Sequence, residues 1–420
     1  MNIPNGYKQT VVGVIPQEWE VKALGYAYKL QGGYAFKSEL FADIGIPIVR
    51  ISNLPMDSNI VDITDCVYYP NTESIKEQFI IKQGMLLIAM SGATTGKTAV
   101  YNNQNSSYLN QRVGMFCSKN DDITYNYLLQ LVQSPLYSNA LKPLLIAGAQ
   151  PNIAPSDVEN MKFPVPPMEE QRKIAEILGI WDEAIEKQSR LIERLEVRKR
   201  ALMQCLLTGR TRLSGFTTPW QKIKLGEIGK TYNGLTGKSK EDFEDGNAKF
   251  IPYINVFSNE KVNIDKLGVV SVDESEKQNK VQYGDIFFTV SSETPDEVGM
   301  ASVLLEYIDD TYLNSFCFGY RLNDFETLNP IFASYILRGD RFRNYMMVLA
   351  QGSTRFNISK NEVMKLRIEL PSLPEQKAIA EVLTTADNEI ATHRKKLDAL
   401  RLQKRGLMQQ LLTGKTRVKI

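Results

Sequence analysis

Leu202-Met203-Gln204-Cys205-Leu206-Leu207-Thr208-Gly209 stands near the middle of the chain, and Leu407-Met408-Gln409-Gln410-Leu411-Leu412-Thr413-Gly414 stands near its end. Extending this match in both directions aligns 171–212 with 376–417 without a gap, with about 19 of 42 positions identical. Gln171, Ile174, Ala175, Glu176, Leu178, Asp182 and Ile185 return as Gln376, Ile379, Ala380, Glu381, Leu383, Asp387 and Ile390. Agreement at this level makes the chain an internal repeat. Inside each copy the core positions advance alternately by four and three. The series is Ile174, Leu178, Trp181, Ile185, Gln188, Ile192, Leu195, Lys199, Leu202 and Leu206, then Ile379, Leu383, Ala386, Ile390, His393, Leu397, Leu400, Lys404, Leu407 and Leu411. A 3.5-residue repeat held over more than four heptads is the seam of a coiled coil.

The two seam helices lie in one chain, so the economical pairing is with each other, antiparallel. Ile174 would then face Leu411, Trp181 would face Lys404, and Gln188 and His393 would fall near the middle. The polar slots Gln188/His393 and Lys199/Lys404 are the kind that fix register. Ser372-x-x-Glu375 with Pro374 reads as a capping box, Pro167, Glu169 and Glu170 serve the first copy, and Thr208-Gly209 and Thr413-Gly414 supply the stops. About 40 residues at ~1.5 Å each give a rod of ~60 Å. Such a rod could hold the two flanking parts of the chain at a set separation.

The repeat continues outward, more faintly. Trp19-Glu-Val-Lys-Ala-Leu24-Gly25 returns as Trp220-Gln-Lys-Ile-Lys-Leu225-Gly226, Gly33 as Gly234, Lys37-Ser38 as Lys238-Ser239, and Tyr108-Leu109-Asn110 as Tyr312-Leu313-Asn314. Only framework positions match: the same scaffold carries a different surface. Short strand-like runs (Ile46–Ile51, Met85–Ala89, Asp285–Val290) separated by Gly, Asn, Asp and Pro are followed by two helical patterns per copy. The fold class expected is α+β or mixed α/β. It has a globular domain over 1–165, a spacer helix over 166–212, a second globular domain over 213–370 and a C-terminal spacer helix over 371–420.

Composition excludes several chemistries. One histidine (His393) and four scattered cysteines (Cys66, Cys117, Cys205, Cys317) in 420 residues argue against a zinc site, a Ser-His-Asp triad or a Cys-His pair. No catalytic or metal-binding residues are expected. The longest clear apolar run, Met85–Met90, is too short for a membrane span, and residues 1–15 lack a signal-peptide core, so a cytoplasmic location is expected. Net charge is only +2, so any DNA affinity must come from local clustering. One such cluster lies over 394–419, which holds nine basic residues against Asp398 alone.

At this point a family resemblance becomes specific. Ile15-Pro16-x-x-Trp19, Gly33-x-Ala35-Phe36-Lys37-Ser38, Ser91-Gly-Ala-Thr-Thr-Gly96-Lys97, Gln150-Pro-Asn152-Ile153 and Pro166-Pro167-x-Glu169-Glu170-Gln171-x-x-Ile174-Ala175 resemble the specificity subunit of a type I restriction–modification enzyme. The second copy carries Ser291-Ser-Glu-Thr294, Arg355-Phe-Asn357-Ile358 and Pro371-x-x-Pro374-Glu375-Gln376. The resemblance implies two target-recognition domains, each reading half of an asymmetric bipartite site in double-stranded DNA, and an antiparallel helical spacer between them. It also implies two docked methylation subunits that bind S-adenosylmethionine, restriction subunits that use ATP and Mg, and no cofactor or chemistry in this chain. The second copy lacks the Gly-Lys that follows Ser91, so equivalent loops are expected to read different bases.

The DNA-contact candidates are Lys37, Ser91, Thr94, Lys97, Arg112, Gln150 and Asn152 in the first copy, and Lys238, Lys240, Arg355 and Asn357 in the second. Gln and Asn can pair bidentately with adenine and Arg with guanine. Lys37, Arg112, Lys238, Lys240 and the glycine-rich loop with Lys97 suit phosphates, while Gln150 and Arg355 are the candidates for base edges. Each has a plainer reading: the asparagines can bond their own turns, and the cations can be solvated surface charge. Ser91–Thr98 also resembles a phosphate-binding loop, but serine stands where that pattern needs glycine and no helix pattern follows. Two rival functions follow: a coiled-coil protein–protein scaffold, and a nucleotide-binding enzyme using the Ser91–Thr98 loop.

Overall fold

The computed structural model describes residues 3–56, 58–72, 74–146 and 152–420. The chain divides into two compact units, Met1–Ser189 with Lys395–Ile420, and Arg190–Arg394. Each unit therefore holds a globular part and one half of each long helix.

The globular parts repeat one architecture. The first unit has a four-stranded antiparallel sheet in the order Tyr28–Gly32, Val113–Ser118, Leu86–Ala89 and Thr98–Val100. The second has the same order built from Gly229–Asn233, Cys317–Leu322, Ile286–Thr289 and Ala301–Val303. Beside it each unit has a second sheet around one parallel pair, Ile46–Val49 with Ser107–Leu109 and Ala248–Ile251 with Thr311–Leu313. A two-stranded ribbon leads into each long helix, Glu20–Ala23 with Lys162–Val165 and Gln221–Lys224 with Arg367–Leu370.

The continuous apolar runs in the sequence have a direct cause. Successive strand side chains point to opposite faces, and both faces of the central strand are covered. Leu86 and Ile88 enter one core cluster, while Leu87 and Ala89 enter another. Ile286 and Phe288 likewise part from Phe287. The helices that cover the sheet are Tyr125–Val132 and Pro135–Ile146, then Pro330–Ile336 and Asp340–Leu349. Thr124 and Asn329 cap the first of each pair through side-chain oxygens.

The buried Gln171 ties this layer to the first long helix. Its carbonyl accepts from the Thr124 amide at 2.8 Å, and its NH2 donates to the Asp122 and Pro166 carbonyls at 2.7 and 3.0 Å. Gln376 repeats all three bonds with Asn329, Thr327 and Pro371. The repeated glutamine is therefore a structural clamp.

The long helices run over Met168–Leu206 and Leu373–Leu411, 39 residues each. Gly209 (φ 69°) and Gly414 (φ 70°) end them in the left-handed region that glycine favours. Every seam position anticipated from the sequence is buried or half-buried, including Gln188, Trp181 and His393. In both units the helix halves pass antiparallel. In the first, Glu170 meets Arg417 and Asp182 meets Lys404. In the second, Glu196 meets Arg394, Lys199 meets Asp387, and Arg212 meets Glu375. Lys404 reaches Asp182, the neighbour of the expected Trp181, at 2.5 Å. The capping box expected at Ser372 is replaced: both Glu375 carboxylate oxygens accept from Arg212, at 2.6 Å each.

The seam lysines do more than set register. Asp182 accepts from Lys404 and from Gln130 of the helical layer, and Asp387 accepts from Lys199 and from Tyr335. Burial alone raises the Asp387 carboxyl pKa, but bonds from Lys199 and Tyr335 outweigh it and hold it below its ordinary 3.8. A lowered folded value adds stability above the unfolded pKa and loses it as pH falls through the folded one. The second unit should therefore lose thermal stability below pH ~4 more steeply in the natural chain than in Asp387→Asn, as melting curves taken from pH 5 to 2.5 will show.

Candidate nucleic-acid interface

At one end of each four-stranded sheet, loops from four strands converge. In the first unit these are the segment after Gly32, the turn before Val113, the loop Ser91–Lys97 between Leu86–Ala89 and Thr98–Val100, and the segment at Asn152. Two backbone bonds lock them together. The Met90 amide donates to the Arg112 carbonyl at 2.9 Å, and the Met90 carbonyl accepts from the Ile153 amide at 3.0 Å. The second unit repeats both at 3.0 Å, with Val290 donating to Phe316 and accepting from Ile358. Ser91 bridges Asn152, as Ser291 pairs with Asn357. Sequence segments that repeat only faintly are thus the ones that meet.

A glycine fixes the approach of the remaining loop. A Cβ on Gly33 would lie 2.1 Å from the Asn110 carbonyl oxygen, and one on Gly234 would lie 2.2 Å from that of Asn314. The Tyr34 amide donates to Leu109 and the Leu235 amide to Leu313, at 2.8 and 2.7 Å, so the chain crosses the strand in contact. Asn110 and Asn314 then accept from the amides two residues on, those of Arg112 and Phe316, at 3.3 and 2.8 Å. These turns present the side chains at 112 and 316 outward.

The anticipated contact residues divide. Lys37 and Arg112 are exposed at this end of the first unit, and Lys240, Arg355 and Asn357 at that of the second. Asn152 is exposed beside Ser91. Gln150 and the glycine-bearing part of its loop lie outside the described residues. Several others already have partners. Thr94 donates to the Ile51 carbonyl at 3.3 Å, and Lys97 donates to Met56 and Asn59 at 3.3 and 3.0 Å. Ser91 is buried with its hydroxyl lacking a protein partner. Lys238 must be corrected: its side chain is 7% exposed and its ammonium pairs with Glu276 and Asp242, so it stiffens the loop and is not an available phosphate cation. Asn357 also follows its plainer reading in part, donating to the Arg355 carbonyl at 3.3 Å.

The Ser91–Thr98 loop is a hairpin. Gly92 and Gly96, both at φ 82°, turn the chain so that the Gly96 amide donates to Ala89 at 2.7 Å and the Ala89 amide to Lys97 at 2.9 Å. A strand follows where a phosphate-binding loop opens a helix N-terminus. The nucleotide-binding alternative loses its structural basis.

What the sequence reading missed is Phe316, 58% exposed at the position that Arg112 holds in the first unit. The signal was available: Asn110 and Asn314 align, and each residue lies two places on.

The architecture and its duplication can now be set beside known proteins. The family model described as Type I restriction modification DNA specificity domain matches twice, at residues 16–197 and 218–402. The chain belongs to that family. It is 29% identical to the putative type I restriction enzyme MjaX specificity subunit of Methanocaldococcus jannaschii, over 98% of this chain and 97% of that one. It is 27% identical to the type I restriction enzyme MjaVIII specificity subunit of the same organism, over 96% and 94%. The fold is shared with a chain solved in work on complex assembly and conformational transition of a type I R-M system, at TM-score 0.60, 18% identity and coverage of 96% and 99%. It is also shared with the type I restriction–modification S subunit from M. genitalium, at TM-score 0.53, 15% identity and coverage of 98% of each chain. Among the described residues no helix is long and apolar enough to cross a membrane.

Proposed function

We propose that this chain is the DNA-reading subunit of a type I restriction–modification complex. The loop end of each sheet reads one half of a bipartite, asymmetric site in double-stranded DNA. The paired helices set the gap between halves and offer docking surfaces to two methylation subunits and, where present, restriction subunits. S-adenosylmethionine, ATP and Mg belong to those partners, and the chemistry is theirs. The setting is the cytoplasm.

The observation that carries this reading is the pair of interfaces built on one backbone frame with different side chains. Exposed Arg112 stands where the second unit has exposed Phe316, and exposed Lys37 stands where it has Lys238 paired with Glu276, while Asn152 and Asn357 belong to the shared frame. A frame kept constant while its outward residues change suits two readers of unlike sequence. A scaffold for peptides gives no reason for this arrangement.

Sequencing the modified bases in the DNA of a host that carries this chain with its methylation subunit tests the reading. One motif of two unlike half-sites at a fixed gap is expected. A contiguous palindrome, or no motif, would contradict it.

A further inference from the structure

We infer that residues 112 and 316 form one base-reading position used twice, with Arg112 reading guanine in one half-site and Phe316 packing on a thymine methyl group in the other. This rests on the DNA-reading function proposed above and names what part of that site reads.

Scattered exposed apolar side chains are ordinary, so exposure alone says nothing about Phe316. Its equivalence with Arg112 does. The two residues follow aligned asparagines, donate from their backbone amides to the asparagine side-chain oxygens, and accept at their carbonyls from the amide of the residue just after the central strand, Met90 or Val290. Both are exposed at the corresponding end of equivalent sheets. Phe316 stands among polar and basic groups, near the Ser291–Asn357 pairing and the exposed Arg355. A phenyl ring there finds no protein partner in its core clusters, but the major groove offers one apolar group per base pair, the thymine C5-methyl. The guanidinium of Arg112 suits the O6 and N7 acceptors of guanine. The unlike pair also explains why this position escaped the repeat at the level of identity.

The test uses the full chain assembled with its methylation subunits and duplexes carrying its own motif. Replacing each thymine in turn with uracil removes only the methyl group. At one thymine, binding should weaken by about 10-fold. Phe316→Ala should weaken binding to the normal duplex by a similar factor and erase the uracil effect at that position alone. Phe316→Leu should keep part of the methyl effect. Phe316→Arg, carried in a host, should change the methylated motif at that one base pair toward guanine and leave the other half intact. Tyr307→Ala, which trims an 86% exposed aromatic ring from the opposite end of the same sheet, should change none of this. The inference is overturned if Phe316→Ala binds as the natural chain does, if the uracil effect survives in that variant, or if the half-site contains no A·T pair. Absence of any specific binding by the natural complex would instead sink the DNA-reading function itself, so the two failures are distinct.

Discussion

Arg417→Ala is expected to destabilise the first unit by about 3–5 kcal/mol, more than removal of its partner Glu170. The reason lies in which charge is left behind. Glu170 opens the first long helix and is fully buried, accepting from the Trp19 indole at 2.9 Å and from Arg417 at 2.7 and 2.9 Å. Arg417 follows the glycine stop of the second helix and keeps 38% of its side chain exposed. Without Arg417 a carboxylate remains in the core with one indole donor. Without Glu170 the guanidinium can turn to water or to Glu18, which it already meets at 2.7 Å. Glu170→Ala should therefore cost about 2–3 kcal/mol, chiefly the stranded Trp19 N–H and the lost packing. The double variant should be more stable than Arg417→Ala alone. Arg417→Lys should recover only part of the loss, since an ammonium cannot make the bidentate contact. Denaturant unfolding of the four chains checks the order. If the double variant falls below Arg417→Ala, the buried carboxylate is not the source of the cost. Arg212 and Glu375 repeat the two guanidinium–carboxylate bonds in the second unit, where the Trp220 indole N–H does not join them, so Arg212→Ala should again cost more than Glu375→Ala.

Gly33→Val and Gly234→Val should each abolish reading of one half-site and spare the other. At both positions a Cβ would meet backbone carbonyls at little over 2 Å, and backbone cannot step aside as a flexible side chain can. The displaced segments are Asn110–Arg112 and Asn314–Phe316, the turns that lock onto the central strand. A misplaced turn loses its bidentate or apolar base contacts while phosphate attraction elsewhere survives. Specific binding should fall by about 100-fold or more, since each wrong base contact costs about 1–3 kcal/mol. Competition between duplexes with one half scrambled will show it. In the Gly33 variant, scrambling the half read by the first unit should make no further difference, while scrambling the other should remain costly. Equal sensitivity to both halves in either variant would refute the assignment of one half to each unit.

The scaffold was far more legible in the sequence than the surface. The seam, the glycine stops and the strand runs follow from periodicity and backbone chemistry, which local sequence carries. Lys199 and Lys404 read as polar seam slots, but their aspartate partners could not be paired, because Asp182 and Asp387 lie on the opposite helix and the bond depends on register. Glu375 illustrates a local rule overridden: its spacing from Ser372 fits a capping box, yet Arg212, distant in sequence, takes both oxygens. Lys238 differs from its expected role for the same reason, since Glu276 reaches it across a loop. Phe316 is not legible in the sequence, because a phenylalanine in a divergent segment looks like core until the turn shows that it is exposed.

Insertion of one heptad into each long helix, within 171–207 and 376–412, tests the spacing claim at the centre of this account. Seven residues keep the seam in phase and lengthen each helix by about 10.5 Å. The methylated motif of a host carrying that chain should keep both half-sites and gain about three base pairs between them. An unchanged gap, or altered half-sites, would show that something other than helix length holds the two readers apart.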